Sequence, residues 1–172
     1  MVEKKHVVLD LRINYNGPLS IENFYEEVDK WIEEKGLQKE LKRKSEDVIP
    51  KGKRLEWIVE CWRSPVRAVK QVVRLRVLFD KVKEVKLKRK GHTVKINQSE
   101  VLATIDGFVE TSLTARWTQK PIYQFFRTLY DKYIWMIGQT VTERHEGPVK
   151  EDCYDLHKRL KAFFNLSKMK VG

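Results

Sequence analysis

The stretch VLATIDGFVETSLTARW, residues 101–117, decides the fold. Val101, Ala103, Ile105, Val109, Leu113, Ala115 and Trp117 fall on one parity; Thr104, Asp106, Glu110, Ser112, Thr114 and Arg116 fall on the other. A two-residue period puts the first set on one face of a strand and the second on the opposite face. One dry face backed by one wet face marks an antiparallel sheet covered on a single side. The run is too long to stay flat, and Gly107 is the natural place for a bend or bulge.

The same alternation reaches back to Arg54. Residues 55–63 are predicted as a strand with Trp57, Val59 and Cys61 on one side and Ile58 and Trp62 on the other, broken at Ser64-Pro65. Residues 66–79 make a second, with Val69, Val73, Leu75, Val77 and Phe79 opposite Arg74 and Arg76. Residues 82–88 and 93–97 read as a hairpin turning at Arg89-Lys90-Gly91, where glycine supplies the positive φ such a turn needs. Asn97-Gln98-Ser99 is then a turn into the final strand. Near the start, residues 6–15 alternate as well, with Val7, Leu9, Leu11, Ile13 and Tyr15 on one side, and Asn16-Gly17-Pro18 ends that strand.

Helices supply the cover. Ser20 caps one whose stripe is Ile21, Phe24, Val28, Trp31 and Ile32, and Gly36 stops it. Residues 37–54 are basic and poorly periodic, and read as a connection with a turn at Pro50-Lys51-Gly52. Pro121 opens a helix with a wide apolar face, Ile122 to Ile137, that Gly138 ends. A loop over 140–150 containing Gly147-Pro148 leads to a last helix carrying Cys153, Leu156, Leu160, Phe163 and Phe164, with 168–172 as a frayed tail. The expectation is one α+β domain over 1–172: a curved antiparallel sheet of five or six strands, an N-terminal cover helix and two C-terminal helices on one face.

At 172 residues the chain can bury roughly 70% of its unfolded surface without disulfides or metal. Its two cysteines form no framework, no signal peptide is evident and no apolar run approaches the roughly 18 residues of a membrane span. A cytoplasmic protein with reduced thiols is expected.

The order strand, helix, antiparallel meander, helices resembles that of START-like, helix-grip domains, in which a curved sheet wraps a long C-terminal helix. That resemblance implies an apolar pocket between sheet and helix, and a helix after Lys150 departs from the pattern. Composition and the Tyr130-Asp131-Lys132-Tyr133-Ile134 segment are similar to small basic proteins of archaea, a likeness that implies no activity.

No catalytic signature is present. None of His6, His92, His145 and His157 is placed by a local motif beside a nucleophile. Cys153 and His157 lie four apart on a helix, but a zinc site needs two further ligands. Asp106 and Glu110 share a strand face, where cross-strand pairing with arginine explains them better than acid–base work. No metal and no cofactor are expected; an enzyme is possible, but nothing in the sequence points to one.

The charge is more informative. A net +11 favours a polyanionic partner. Lys83, Lys86, Lys88, Arg89 and Lys90 crowd one hairpin, Lys42, Arg43 and Lys44 form a second cluster, and Arg74, Arg76 and Arg116 lie on the polar sheet face with Trp62 and Phe108. Arginines among exposed aromatics are how open sheets stack single-stranded bases. The reading is a non-enzymatic protein that contacts RNA, ribonucleoprotein or another polyanion through these residues. A small-ligand pocket lined by Trp57, Trp117, Tyr123, Phe126 and Tyr130 is the alternative. A structural subunit docking a protein partner is the third.

Overall fold

The computed structural model describes residues 2–112 and 121–169; for Val2, Leu87, Arg89 and residues 121–143 it describes the backbone alone. In chain order the elements are β1 (Val2–Leu19), α1 (Ile21–Lys35), β2 (Gln38–Ile49), β3 (Gly52–Val66), β4 (Val69–Arg89), β5 (His92–Ser112) and α2 (Pro121–Met169). The strands form one open antiparallel sheet in the order β1-β5-β4-β3-β2. The chain is thus α+β, with an antiparallel sheet and two helices.

The alternation in 101–112 sets the two faces. Val101, Ala103, Ile105 and Val109 join Leu75, Val77, Phe79, Trp57, Val59 and Ile13 in a single buried cluster. Thr104, Asp106 and Glu110 point to the opposite, open face.

α1 packs on the dry face. Ser20 accepts the Asn23 N–H at its start, and Gly36, at φ 64, returns its N–H to the Glu33 carbonyl at its end. A 15-residue helix is marginal alone, so tertiary burial decides its stability. Phe24, Val28 and Trp31 are at most 1% exposed, each contributing on the order of 1.5–3 kcal/mol. The Phe24 ring meets Phe79 of the sheet edge-on at 5.5 Å and stacks on Phe164 of α2 at 5.8 Å.

α2 runs unbroken for 49 residues, about 74 Å at the helical rise. Val149, Cys153, Leu156, Leu160 and Phe164 are its buried stripe. Polar contacts lock it to α1: the Trp31 indole donates to Asp155 at 3.0 Å, and Arg159 pairs with both Glu27 and Glu34. No described helix is long and apolar enough to cross a membrane.

Three sequence expectations are corrected. The two C-terminal helices are one, because residues on both sides of Gly147-Pro148 continue the helix and Val149 and Cys153 seat it on the sheet. The basic connection 37–54 is an edge strand paired with β3 through a turn at Pro50-Lys51; an edge with neither face buried has no reason to alternate in polarity. The predicted hairpin 82–97 is the far end of β4 and β5, which run on through a bulge at Lys81, whose φ is 52. Leu113, Ala115, Arg116 and Trp117 lie outside the described residues.

Candidate nucleic-acid interface

The strongest concentration of positive charge is an arm. β1 last pairs with β5 at Leu19–Asn97 and β3 last pairs with β4 at Lys53–Val82. Beyond those pairs, among the described residues, β4 and β5 continue together alone, through Val85–Ile96, Lys86–Lys95, Leu87–Val94, Lys88–Thr93 and Arg89–His92. Those five pairs extend about 16 Å past the last β1 pairing. The turn holds Lys90 at φ 49 and Gly91 at φ 81, the two consecutive positive values of a two-residue hairpin that follows the sheet's twist.

The bulge decides which residues face which way. Asp80 pairs with Glu100 but Lys83 pairs with Gln98, so β4 carries one extra residue there. Past it the parity of β4 is inverted relative to Val77 and Phe79. Lys86, Lys88, Lys95 and Thr93 share the face that bears the helices, while Val85, Ile96 and Val94 lie on the open face.

Six cations and one carboxylate, Glu84, fall between residues 83 and 95. Lys95 reaches Glu84 at 3.3 Å. Lys83, Lys86, Lys88 and Lys90 have no ion pair among the described residues. Lys86 sits directly across from Lys95, a like-charge pairing that weakens a hairpin. Lys95 escapes a reading of charge clusters, yet the turn reveals it: 86 and 95 are equidistant from the Lys90-Gly91 centre.

The other predicted cations are engaged within the chain. On the open face Arg74 donates to Glu60 at 2.8 and 2.5 Å, and Lys42 reaches the same carboxylate at 3.3 Å. Burial pushes the Glu60 carboxyl up, but Arg74 and Lys42 outweigh it and hold it below the usual range. Arg76 meets Asp106 at 2.8 Å and Asp10 at 3.2 Å, and the Asp10 N–H, at a positive-φ bulge, donates to Asp106. Arg43 pairs with Glu56, and the Lys44 ammonium lies 5.2 Å from the Tyr25 ring centre. Glu110 pairs with Lys4.

The open-face aromatics are occupied too. Phe108 is 1% exposed, with the Lys4 ammonium 4.1 Å from its centroid and the Arg74 guanidinium at 5.2 Å. Trp62 is half-buried under Lys70 at 4.4 Å. A base would have to displace these cations to stack. Arg116 lies outside the described residues.

Of the pocket residues, Trp57 is 4% exposed and packed against Phe24 and Tyr25. Trp117 and the side chains of Tyr123, Phe126 and Tyr130 lie outside the described residues. Both thiols are buried, and burial pushes each up to about 12. Among the described residues no group of His, Cys, Asp and Glu has the makings of a metal site.

No protein-family model, curated protein or solved structure matches the chain.

Proposed function

We propose that this chain is a non-enzymatic binding protein that holds RNA or ribonucleoprotein by its phosphate backbone through the β4–β5 arm. Lys83, Lys86, Lys88, Arg89, Lys90 and Lys95 are the residues that carry it. One observation supports the reading above the others. Lys83, Lys86, Lys88 and Lys90 have no carboxylate partner among the described residues, whereas Lys42, Arg43, Arg74 and Arg76 are ion-paired at home. An unpaired ammonium on a projecting ribbon gives up little to reach a phosphate, and counterion release makes the contact favourable. The repulsion between Lys86 and Lys95 falls away once a polyanion lies between them.

Such a grip reads no bases, so affinity should depend on salt and strand form more than on sequence. Labelled single- and double-stranded RNA and DNA titrated at low and near-physiological salt test it. Replacing Lys86, Lys88, Arg89 and Lys90 by alanine should weaken binding at both salts. It should also reduce the slope of log affinity against log salt by about 0.7–0.9 for each phosphate that the variant no longer neutralises. Unchanged affinity and slope in that variant would remove the arm from the site.

A further inference from the structure

We propose that the free edge of β2 pairs with the β2 edge of a second copy of this chain, antiparallel about a two-fold axis through Ser45, joining two sheets into one. Among the described residues β2 is the last strand of the sheet and bonds to β3 alone. Ten of its twelve residues are exposed, and Leu41 and Val48, at 52% and 81%, are among the most exposed large apolar residues described. Long open edges invite pairing, and lysines along them ordinarily discourage it.

The order of charges along β2 reverses that effect in one register. A two-fold axis perpendicular to the sheet keeps every residue on its own face, so only residues of equal parity can meet across it. With Ser45 on the axis, Lys44 faces Glu46 of the second copy and Arg43 faces its Asp47, each twice by symmetry. Centring on Lys44 sets lysine against lysine, centring on Glu46 sets glutamate against glutamate, and centring on Arg43 brings Lys42 to Lys44. Like charges directly opposite destabilise a sheet, so the Ser45 register is selected by exclusion as well as attraction.

Backbone and apolar groups agree with it. The Ile49–Gly52 pair closes the two-residue turn and so exchanges hydrogen bonds across the hairpin. Pairs alternate from there, which leaves the N–H and C=O of Val48, Glu46 and Lys44 directed away from β3. In the Ser45 register Lys44 and Glu46 are then a hydrogen-bonded pair across the new ladder. The extra residue at Lys42, where Leu41 pairs with Val59 and Arg43 with Ile58, shifts the count by one and brings Leu41 opposite Val48 of the second copy. The ion pairs to be shared, Arg43–Glu56 and Glu46–Lys53, are solvent-exposed and worth little alone.

Sedimentation equilibrium over a concentration series reaching the millimolar range should show the 20.5 kDa chain approaching twice its mass. The double variants Arg43→Glu with Lys44→Glu, and Glu46→Lys with Asp47→Lys, should each remain monomeric. Mixed in equal amounts they should form a heterodimer, because every facing pair is again of opposite sign. In the unaltered protein, amide exchange at Lys44, Glu46 and Val48 should slow as concentration rises while Ser45 and Asp47 stay constant, a reading that needs no variant to fold. A monomer throughout, a dimer that survives either double variant, or outward amides insensitive to concentration would overturn the proposal.

Discussion

Gly107 of β5 lies directly beneath Cys153 of α2, where a Cβ would come within 2.5 Å of the Cys153 Sγ and 2.8 Å of the Val149 Cγ1. The absence of a side chain at 107 is what lets the helix settle on the sheet. Gly107→Ala should therefore destabilise the fold by about 1–3 kcal/mol, the usual result of overpacking a close contact. Cys153→Ala removes one of the two clashing atoms, so the double variant should recover part of that loss. Chemical denaturation of the four proteins measures the coupling, and strict additivity would show that the helix shifts freely.

Gly107 also shows how far the sequence can be read. Its interruption of the alternating run marks a special place on the strand, but a bend and a helix contact leave the same mark in one dimension. The dry and wet faces of β3, β4 and β5 are legible because half-burial imposes a period of two. β2 is not, since neither of its faces is buried and nothing imposes a period. The unity of α2 is hidden for the opposite reason: Gly147-Pro148 carries the local chemistry of a turn, and packing of Val149 and Cys153 overrides it. The arm's lysines are legible as a charge cluster. That four of them lack carboxylates among the described residues, while the sheet-face arginines are neutralised, depends on cross-strand register, which the Lys81 bulge alters.

The arm can be stiffened at its turn. Lys90 occupies φ 49, a left-handed conformation that costs a residue with a Cβ roughly 1 kcal/mol. Asparagine tolerates it, and Asn-Gly is the preferred pair for this turn. Lys90→Asn should therefore stabilise the hairpin by about 0.5–1 kcal/mol, seen as slower amide exchange over 85–96, while removing one cation. If the arm grips phosphates, affinity should fall only slightly, because the missing charge is partly offset by preorganisation. A large loss of affinity would make Lys90 a principal contact.

Glu60 fixes the sign of the acid response. Its folded-state carboxyl is held below the usual 4.5, despite burial, by Arg74 and Lys42. A depressed carboxylate contributes stability that is present above the unfolded value and lost as pH falls through the folded one. Stability should therefore drop below about pH 4.5, and Glu60→Gln should flatten that part of the curve while lowering stability at neutral pH. Removing this charge leaves Arg74 against Phe108 without its carboxylate, so the neutral-pH loss should be about 1–3 kcal/mol. Thermal melts of both proteins from pH 3 to 7 check it, and parallel curves would assign the acid limb to other carboxylates.

Gly147 and Pro148 sit inside α2 at a point where local chemistry opposes the helix. A Cβ at 147 meets nothing within 4 Å and the residue is exposed, so alanine there leaves the packing as it is. It restricts the unfolded chain instead, and Gly147→Ala should raise stability by about 0.5–1 kcal/mol. Pro148 lacks the N–H that would bond the Arg144 carbonyl, and its ring crowds that turn. Pro148→Ala should gain up to about 3 kcal/mol if the rest of α2 is already straight, and less if neighbouring contacts depend on a local distortion. Far-ultraviolet dichroism and denaturant midpoints of the single and double variants separate the two cases. A double variant less stable than the original would mean that the sheet contact at Val149 and Cys153 depends on the glycine and proline at 147–148.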